Sequence, residues 1–321
     1  MKKQKAPLTF RLILIVFLLY LGFSSLGENV WAQSFSLTIS PPLTEITSKP
    51  GQTISQVYKI SNLTDPQTIK PRLLRIKEVD ELGNIKPEDE SSPSPWINFS
   101  FEEGVGQGFF LGQSESREIK LNINIKGSTP EGDYYYTLLL ESLLSPQTVK
   151  KEGQVRIQSG IGTIILITVS KTGQPVKEAR VETFRLPFCI FSSCFNLPVN
   201  LIDSGNLTVI LKVQNLGAAF FKPIGEIIIR SPLGLETKYP FLPENVLAKT
   251  TRIIATGKGG NGQSLTIPGF FLGPYRLIAS FSLSEDGPTV LATTYFFALP
   301  FKIILAVLII LPLWYFVNRR K

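Results

Sequence analysis

Glu118-Ile119-Lys120-Leu121-Asn122-Ile123-Asn124-Ile125-Lys126 decides the fold class. Its aliphatic residues fall on every second position, and the intervening ones are polar. Side chains alternate across a strand, so this pattern predicts a strand with one buried face. The same period recurs in both directions. Upstream, it predicts strands over Ser36–Ile39, Thr53–Ser61, Ile69–Val79 and a short piece near Trp96–Phe101. Downstream, Tyr134–Glu141 and Ile161–Ser170 continue it. Pro50-Gly51, Leu82-Gly83-Asn84 and Pro130-Glu131-Gly132-Asp133 supply the turns between them. Many short alternating strands at this spacing imply a sandwich.

A second set of strands begins beyond Lys171-Thr172-Gly173-Gln174-Pro175, a polar linker candidate. Leu207, Val209, Leu211 and Val213 share one face of a strand that ends at Asn215-Leu216-Gly217, where the glycine can take a positive φ. Gly225–Arg230, Thr250–Thr256, Tyr275–Leu283 and Leu291–Phe297 complete the set. The expected class is all-β, with two tandem sandwiches over residues 33–172 and 173–298.

Both ends of the chain read differently. Lys2, Lys3, Lys5 and Arg11 precede an apolar run, Leu12–Phe23, and Val30-Trp31-Ala32 places small residues at the −3 and −1 positions. This is the form of a secretory signal over residues 1–32, with cleavage expected after Ala32. Residues 299–317 are almost free of charge and long enough to cross a bilayer as one helix. Lys302 lies near the outer end and can extend to the headgroups. Trp314 suits the opposite interface, and residues 318–321, with Arg319, Arg320 and Lys321, suit the cytoplasmic side. The expected location is therefore the cell membrane, single-pass, with the bulk of the chain outside the cytoplasm.

The charge of +8 is a consequence of this layout. Eight of the 33 basic residues lie in the signal, the anchor and the tail, leaving 25 in the body against 24 acids. A nearly neutral body lacks the electrostatic footprint of a nucleic-acid binder, so no nucleic-acid partner is expected. The chain contains no histidine, which excludes Ser-His and Cys-His dyads and histidine-based metal sites. No cofactor, metal site or catalytic residue is expected. Glu78, Asp80, Glu81, Glu88, Asp89 and Glu90 form an acidic run whose spacing matches no EF-hand and reads as a mobile, solvated loop.

Cys189 and Cys194 are the two cysteines, and an exported segment favours a local disulfide between them. The loop they would close is apolar, with Phe188, Ile190, Phe191 and Phe195 as candidate contact residues, although filling the edge of the core is the simpler reading. In Tyr134-Tyr135-Tyr136, alternation sends the outer two inward and leaves Tyr135 as the exposed one. Trp96, after Pro93-Ser94-Pro95, reads as a core plug.

Two groups of residues carry a family resemblance. The first is Ser40-Pro41-Pro42, Lys49-Pro50-Gly51-Gln52-Thr53, Ile60-Ser61-Asn62-Leu63-Thr64-Asp65, Trp96-Ile97 and Pro130-Glu131-Gly132-Asp133-Tyr134-Tyr135. The second is Val213-Gln214-Asn215-Leu216-Gly217, Lys222-Pro223-Ile224-Gly225, Pro243 to Arg252 and Phe271-Leu272-Gly273-Pro274-Tyr275. Together they resemble the WxL-interacting proteins of Gram-positive cell surfaces. The resemblance implies two immunoglobulin-like sandwiches, a signal peptide, one transmembrane helix and a short basic tail. It also implies a non-catalytic surface protein that binds cell-wall glycan or scaffolds another surface protein. An adhesin, a structural component of an envelope complex and a wall-active enzyme are the alternatives. The Cys189–Cys194 insertion departs from the family pattern.

Overall fold

The stretch around Glu118–Lys126 forms the strand that its alternation predicts. The strand runs Ser116–Ile125; Ile119, Leu121, Ile123 and Ile125 are wholly buried, while Lys120 and Asn124 face solvent. The computed structural model describes residues 36–63, 65–88, 94–143, 160–190, 193–195, 200–256, 265–285 and 287–319. For residues 188–190, 193–195, 316 and 317 it describes the backbone alone. The described part of Leu37–Lys321 forms one compact unit with two hydrophobic cores.

Two sheets enclose the first core. One has the order β1 (Leu37–Ser40), β3 (Thr53–Asn62), β8 (Ser116–Ile125), β6 (Ile97–Phe101), antiparallel throughout. The other runs β2 (Leu43–Ser48), β10 (Gly160–Val169), β9 (Gly132–Leu143), β4 (Gln67–Glu78), β5 (Ile85–Pro87), with β7 (Phe109–Leu111) also paired to β4. The chain crosses from one sheet to the other at Ser40-Pro41-Pro42. Tyr58 and Ile60 from the first sheet meet Tyr136, Leu138, Leu140, Ile165 and Ile167 from the second. Tyr134 and Trp96 pack against this core, as their positions in the sequence predict.

The second core lies between two further sheets. One is β11 (Ala179–Arg185), β15 (Leu207–Asn215), β18 (Thr251–Ile253), with β19 (Leu265–Ile267) on the other half of β15. The other runs β14 (Leu201–Asp203), β21 (Thr289–Leu299), β20 (Gly273–Ser282), β16 (Ile224–Arg230), β17 (Glu236–Pro240). A small hairpin, β12 (Phe188–Ile190) and β13 (Ser193–Phe195), connects β11 to β14. All-β architecture in the form of immunoglobulin-like sandwiches is thus what the sequence folds into.

The two sandwiches repeat one plan. The order β2-β10-β9-β4-β5 recurs as β14-β21-β20-β16-β17, and in both sheets the first strand runs parallel to the second. The repeat extends to single atoms. β3 and β15 each end in a buried asparagine. Asn62 donates its side-chain amide to the carbonyls of Asp65, Leu111 and Gly112 at 2.9, 3.3 and 3.1 Å. Asn215 donates to those of Ala219 and Val246 at 2.9 and 3.1 Å. Their backbone N–H groups donate to Glu115 and Thr250 respectively. The residues before those acceptors, Ser114 and Lys249, are the non-glycine positions with positive φ among the described residues, at 57° and 62°. One loop has been built twice.

The structure amends two details. Gly217 takes an ordinary φ. It is needed because a Cβ there would lie 2.9 Å from both the Glu178 nitrogen and the Val176 carbonyl, which is tighter than backbone tolerates. The second amendment concerns the C-terminus. The expected membrane span is helical, as α1 (Phe301–Arg319), and its first turn is capped by Ile304 N–H donating to the Pro300 carbonyl at 2.9 Å. Among the described residues, however, no helix is long and apolar enough to cross a membrane.

Candidate functional site

Acids of the first sandwich meet donors of the second along one junction. Asp133 stands at the start of β9, beside Gly132, whose φ of +140° suits glycine and lets the chain pass close to the Ala218 carbonyl. One Asp133 carboxylate oxygen accepts from the Thr168 hydroxyl at 2.6 Å. The other accepts from the Tyr135 hydroxyl at 2.6 Å and from the Phe220 N–H of the second sandwich. Tyr135 in turn accepts from the Ala248 N–H at 2.8 Å. Amide, phenol and carboxylate therefore form a relay from one sandwich to the other. Tyr135, expected to be exposed, is half-buried in this relay. Alternation put it on the outer face correctly, and the second sandwich covers that face.

Burial pushes the Asp133 carboxyl above its ordinary range, against the pull of Thr168, Tyr135 and Phe220 N–H. Burial, reinforced by the Asp133 charge, pushes the Tyr135 phenol well up. A phenol so held is a hydrogen-bond donor and a poor base at neutral pH.

The acidic run contributes the second contact. Asp80 accepts from the N–H groups of Leu82 and Asn84 and from the Asn84 side chain, and these bonds hold its carboxyl below the usual range. The turn this makes points Glu81 at the second sandwich. Its carbonyl accepts from Ile253 N–H on the edge strand β18 at 2.8 Å, and its carboxylate pairs with Lys212. This half of the run is docked, contrary to the expectation of a mobile loop; residues 89–93 lie outside the described residues. Gly83 has φ +79°, and a Cβ on it would come within 2.2 to 2.6 Å of the Arg252 guanidinium. Arg252 is itself held by the Asn245 carbonyl at 2.8 Å and by Glu244 at 3.2 Å. Glu78 lies alongside, near Thr250 and in the field of Arg252, with neither carboxylate oxygen hydrogen-bonded; burial pushes its carboxyl up.

Glu45 on β2 makes the third contact, with Lys222 Nζ at 2.8 Å and Asn245 Nδ2 at 2.7 Å. Glu45, Lys222, Lys177 and Phe220 also line an open cleft of about 440 Å³ beside the junction. Among the described residues no group of three or more His, Cys, Asp or Glu could hold a metal ion.

The helix-bearing end of the second sandwich is a second distinct surface. β21 leads through Pro300 straight into α1, and Lys302 Nζ pairs with Asp203 Oδ2 at 2.9 Å, fastening the first helical turn to β14. Long apolar side chains are exposed around α1, from Ile303 to Trp314. Arg319 lies over the Tyr315 ring at 5.8 Å. Arg320 and Lys321 lie outside the described residues, as do the side chains of Cys189, Cys194, Phe188, Ile190 and Phe195, and all of Phe191. The backbone there pairs Cys189 directly with Cys194 across the hairpin.

No protein-family model and no curated protein sequence matches the chain. Solved structures with some likeness include the class 5 fimbriae chaperone CfaA, at 10% identity and TM-score 0.41, covering 81% of this chain and 99% of that one. The E. coli chaperone DraB follows at 14% identity and TM-score 0.36, covering 83% and 98%. The Pseudomonas aeruginosa CupB2 chaperone shows 8% identity and TM-score 0.34, covering 81% and 100%. At TM-scores below 0.5 these likenesses carry no functional weight.

Proposed function

We propose that this chain is a non-catalytic, membrane-tethered surface protein whose joined sandwiches hold another surface protein at a set height above the bilayer. The observation that carries the reading is the three-point junction, which links the sandwiches through Asp133–Tyr135, Glu81 and Glu45 while β21 passes directly into an apolar helix. A chain that only needed to bind a ligand in solution would need neither feature. Anchoring is supported by the sequence Phe301–Val317, which carries one charge, Lys302. A 19-residue helix is about 28 Å long at 1.5 Å per residue, close to the ~30 Å of a hydrocarbon core. The signal sequence and the basic tail support an outside body and a cytoplasmic C-terminus.

Binding to another protein draws on the sheet edges. Unpaired backbone groups on an edge strand can accept a strand from a partner. Of the described edge strands, β11 is the longest at seven residues, and it pairs only with β15. The resemblance to WxL-interacting proteins supports the same assignment. The absence of histidine and the engagement of both Asp133 oxygens in hydrogen bonds, one of them across the junction, favour a binding role over a catalytic one.

A photo-crosslinking residue at Glu182, exposed on β11, tests this on intact cells. The expected result is one dominant adduct with a surface protein, lost when Val181 is replaced by proline. Absence of a protein adduct, with saturable sedimentation of the chain on cell-wall sacculi, would replace the protein partner with wall glycan.

A further inference from the structure

We infer that the helix-bearing end of the second sandwich is itself a lipid-contact surface, in which two apolar loops dip into the bilayer interface beside α1. The inference rests on the anchoring reading above. Strand register brings the loops together. Gly273 lies opposite Ala298, three residues before the helix, so the loop 268–272 that precedes β20 sits at the end where the chain leaves. Arg230 lies opposite Arg276, so the turn 231–235 after β16 sits at the same end. The turn lies close to the start of β20: a Cβ on Gly273 would be 4.0 Å from Pro232 Cγ.

Both loops display large apolar side chains with α1 in place. Leu233 is 88% exposed, Leu235 70%, Phe270 65% and Leu272 56%. They are not frayed segments. Ser231 N–H donates to the Leu235 carbonyl at 2.9 Å, Gly234 N–H to the Ser231 carbonyl at 3.0 Å, and Leu235 N–H to the Ser231 hydroxyl at 3.1 Å. This closed turn holds Leu233 outward. In the other loop Phe271 points inward, edge-on to Tyr275 and Phe296 at 5.4 and 6.2 Å, and its N–H donates to the Ser204 carbonyl. Its neighbours Phe270 and Leu272 are thereby directed outward.

A water-facing role leaves four ordered, large apolar side chains at one end without a reason. Lipid supplies one, because the apolar helix leaves from the same end. The rim suits zwitterionic headgroups: Arg276 lies over the ring of exposed Tyr295 at 5.7 Å, and Arg230 and Lys302 are paired with Glu236 and Asp203. Aromatic and charged residues around an apolar tip are the composition of a membrane interface.

Tryptophan quenching by brominated phosphatidylcholine in proteoliposomes of the full chain tests this. Trp31→Phe and Trp96→Phe in every chain leave Trp314 to report on the helix. Phe270→Trp and, separately, Leu233→Trp, each combined with Trp314→Phe, report on the loops, with Phe110→Trp on the first sandwich, also combined with Trp314→Phe, as the exposed control. The expected result is quenching at positions 270 and 233 comparable to that of Trp314, with the control unquenched. Quenching of Trp314 alone would overturn the loop assignment and leave the anchor standing. Blue-shifted but unquenched emission from 270 and 233 would overturn it in favour of a protein contact, either a second copy or a partner. Quenching at none of the three positions would overturn both the loop assignment and the anchoring reading.

Discussion

Asn215 donates both hydrogens of its side-chain amide to carbonyls in two different loops, at Ala219 and Val246. Removing the donor costs the buried Ala219 carbonyl this hydrogen bond and takes one of two donors from the Val246 carbonyl, which keeps Phe221 N–H, at about 1–3 kcal/mol for an acceptor left unpaired. Asn215→Ala should therefore lower the unfolding free energy by about 1–3 kcal/mol, read from the denaturant midpoint at unchanged m-value. Asn215→Asp should be at least as costly, because it turns acceptor oxygens toward acceptors. Asn62 predicts the same in the first sandwich. A residue-level test of the junction uses pH. The Asp133 carboxyl is raised in the folded state, so the folded protein holds that proton more tightly than the unfolded chain. The stability it contributes is fully present below the ordinary aspartate value of about 3.9 and is lost as pH rises through the folded value. Glu78 has the same sign. Asp133→Asn should flatten the decline in stability as pH rises above about 4, and Asp133→Asn with Glu78→Gln should flatten it further. A decline unchanged in both variants would place its origin elsewhere. The asparagines were legible in the sequence as strand ends, but what they hold was not, because Val246 lies 31 residues from Asn215.

Elements with one buried face declared themselves. β8, β15 and β20 alternate cleanly because each has the core on one side and water on the other. β2 and β14 did not. Each is a short edge strand that pairs in parallel with the last strand of its sandwich, and Leu43-Thr44-Glu45-Ile46-Thr47-Ser48 carries too few apolar residues to show a period. β11 was hidden for a related reason: its register shifts between Val181 and Thr183, which interrupts the alternation. The β12–β13 hairpin carries a prediction of its own. Directly opposed residues of an antiparallel pair have Cα atoms about 4.5–5.5 Å apart, within the range a disulfide spans. A Cys189–Cys194 bond should shift a non-reducing peptide map by one cross-linked fragment. Its reduction should lower stability by about 2 kcal/mol on the chain-entropy account, because the loop is short. Free thiols that react fully with an alkylating reagent in the native protein would exclude the bond.

For the whole molecule, the question is whether two sandwiches behave as one body. The sequence could not answer it. Glu45 meets Lys222 and Asn245 across 177 and 200 residues, and Glu81 meets Lys212 across 131, separations that leave no local pattern. The ion pairs alone would not couple the two halves strongly. Glu45 and Lys222 are each about a third exposed, and such pairs contribute roughly 0.2–1 kcal/mol after screening. The Asp133–Tyr135 relay is more protected, and each of its charge-assisted bonds is worth about 1.5–3 kcal/mol. The hierarchy gives an ordered expectation for calorimetry of the full chain in detergent. The wild type should unfold its two sandwiches in one transition. Glu45→Lys should lower the midpoint slightly without splitting it, and Lys222→Glu in the same chain should recover part of that loss. Tyr135→Phe removes the link to Ala248 and a donor to Asp133, and Gly83→Ala forces the Arg252 guanidinium away from the β4–β5 turn. These two changes together should separate the endotherm into two, one for each core. If the doubly substituted chain still unfolds in a single transition, cohesion must come from apolar contact across the junction, and the polar relay would then orient the sandwiches without binding them together.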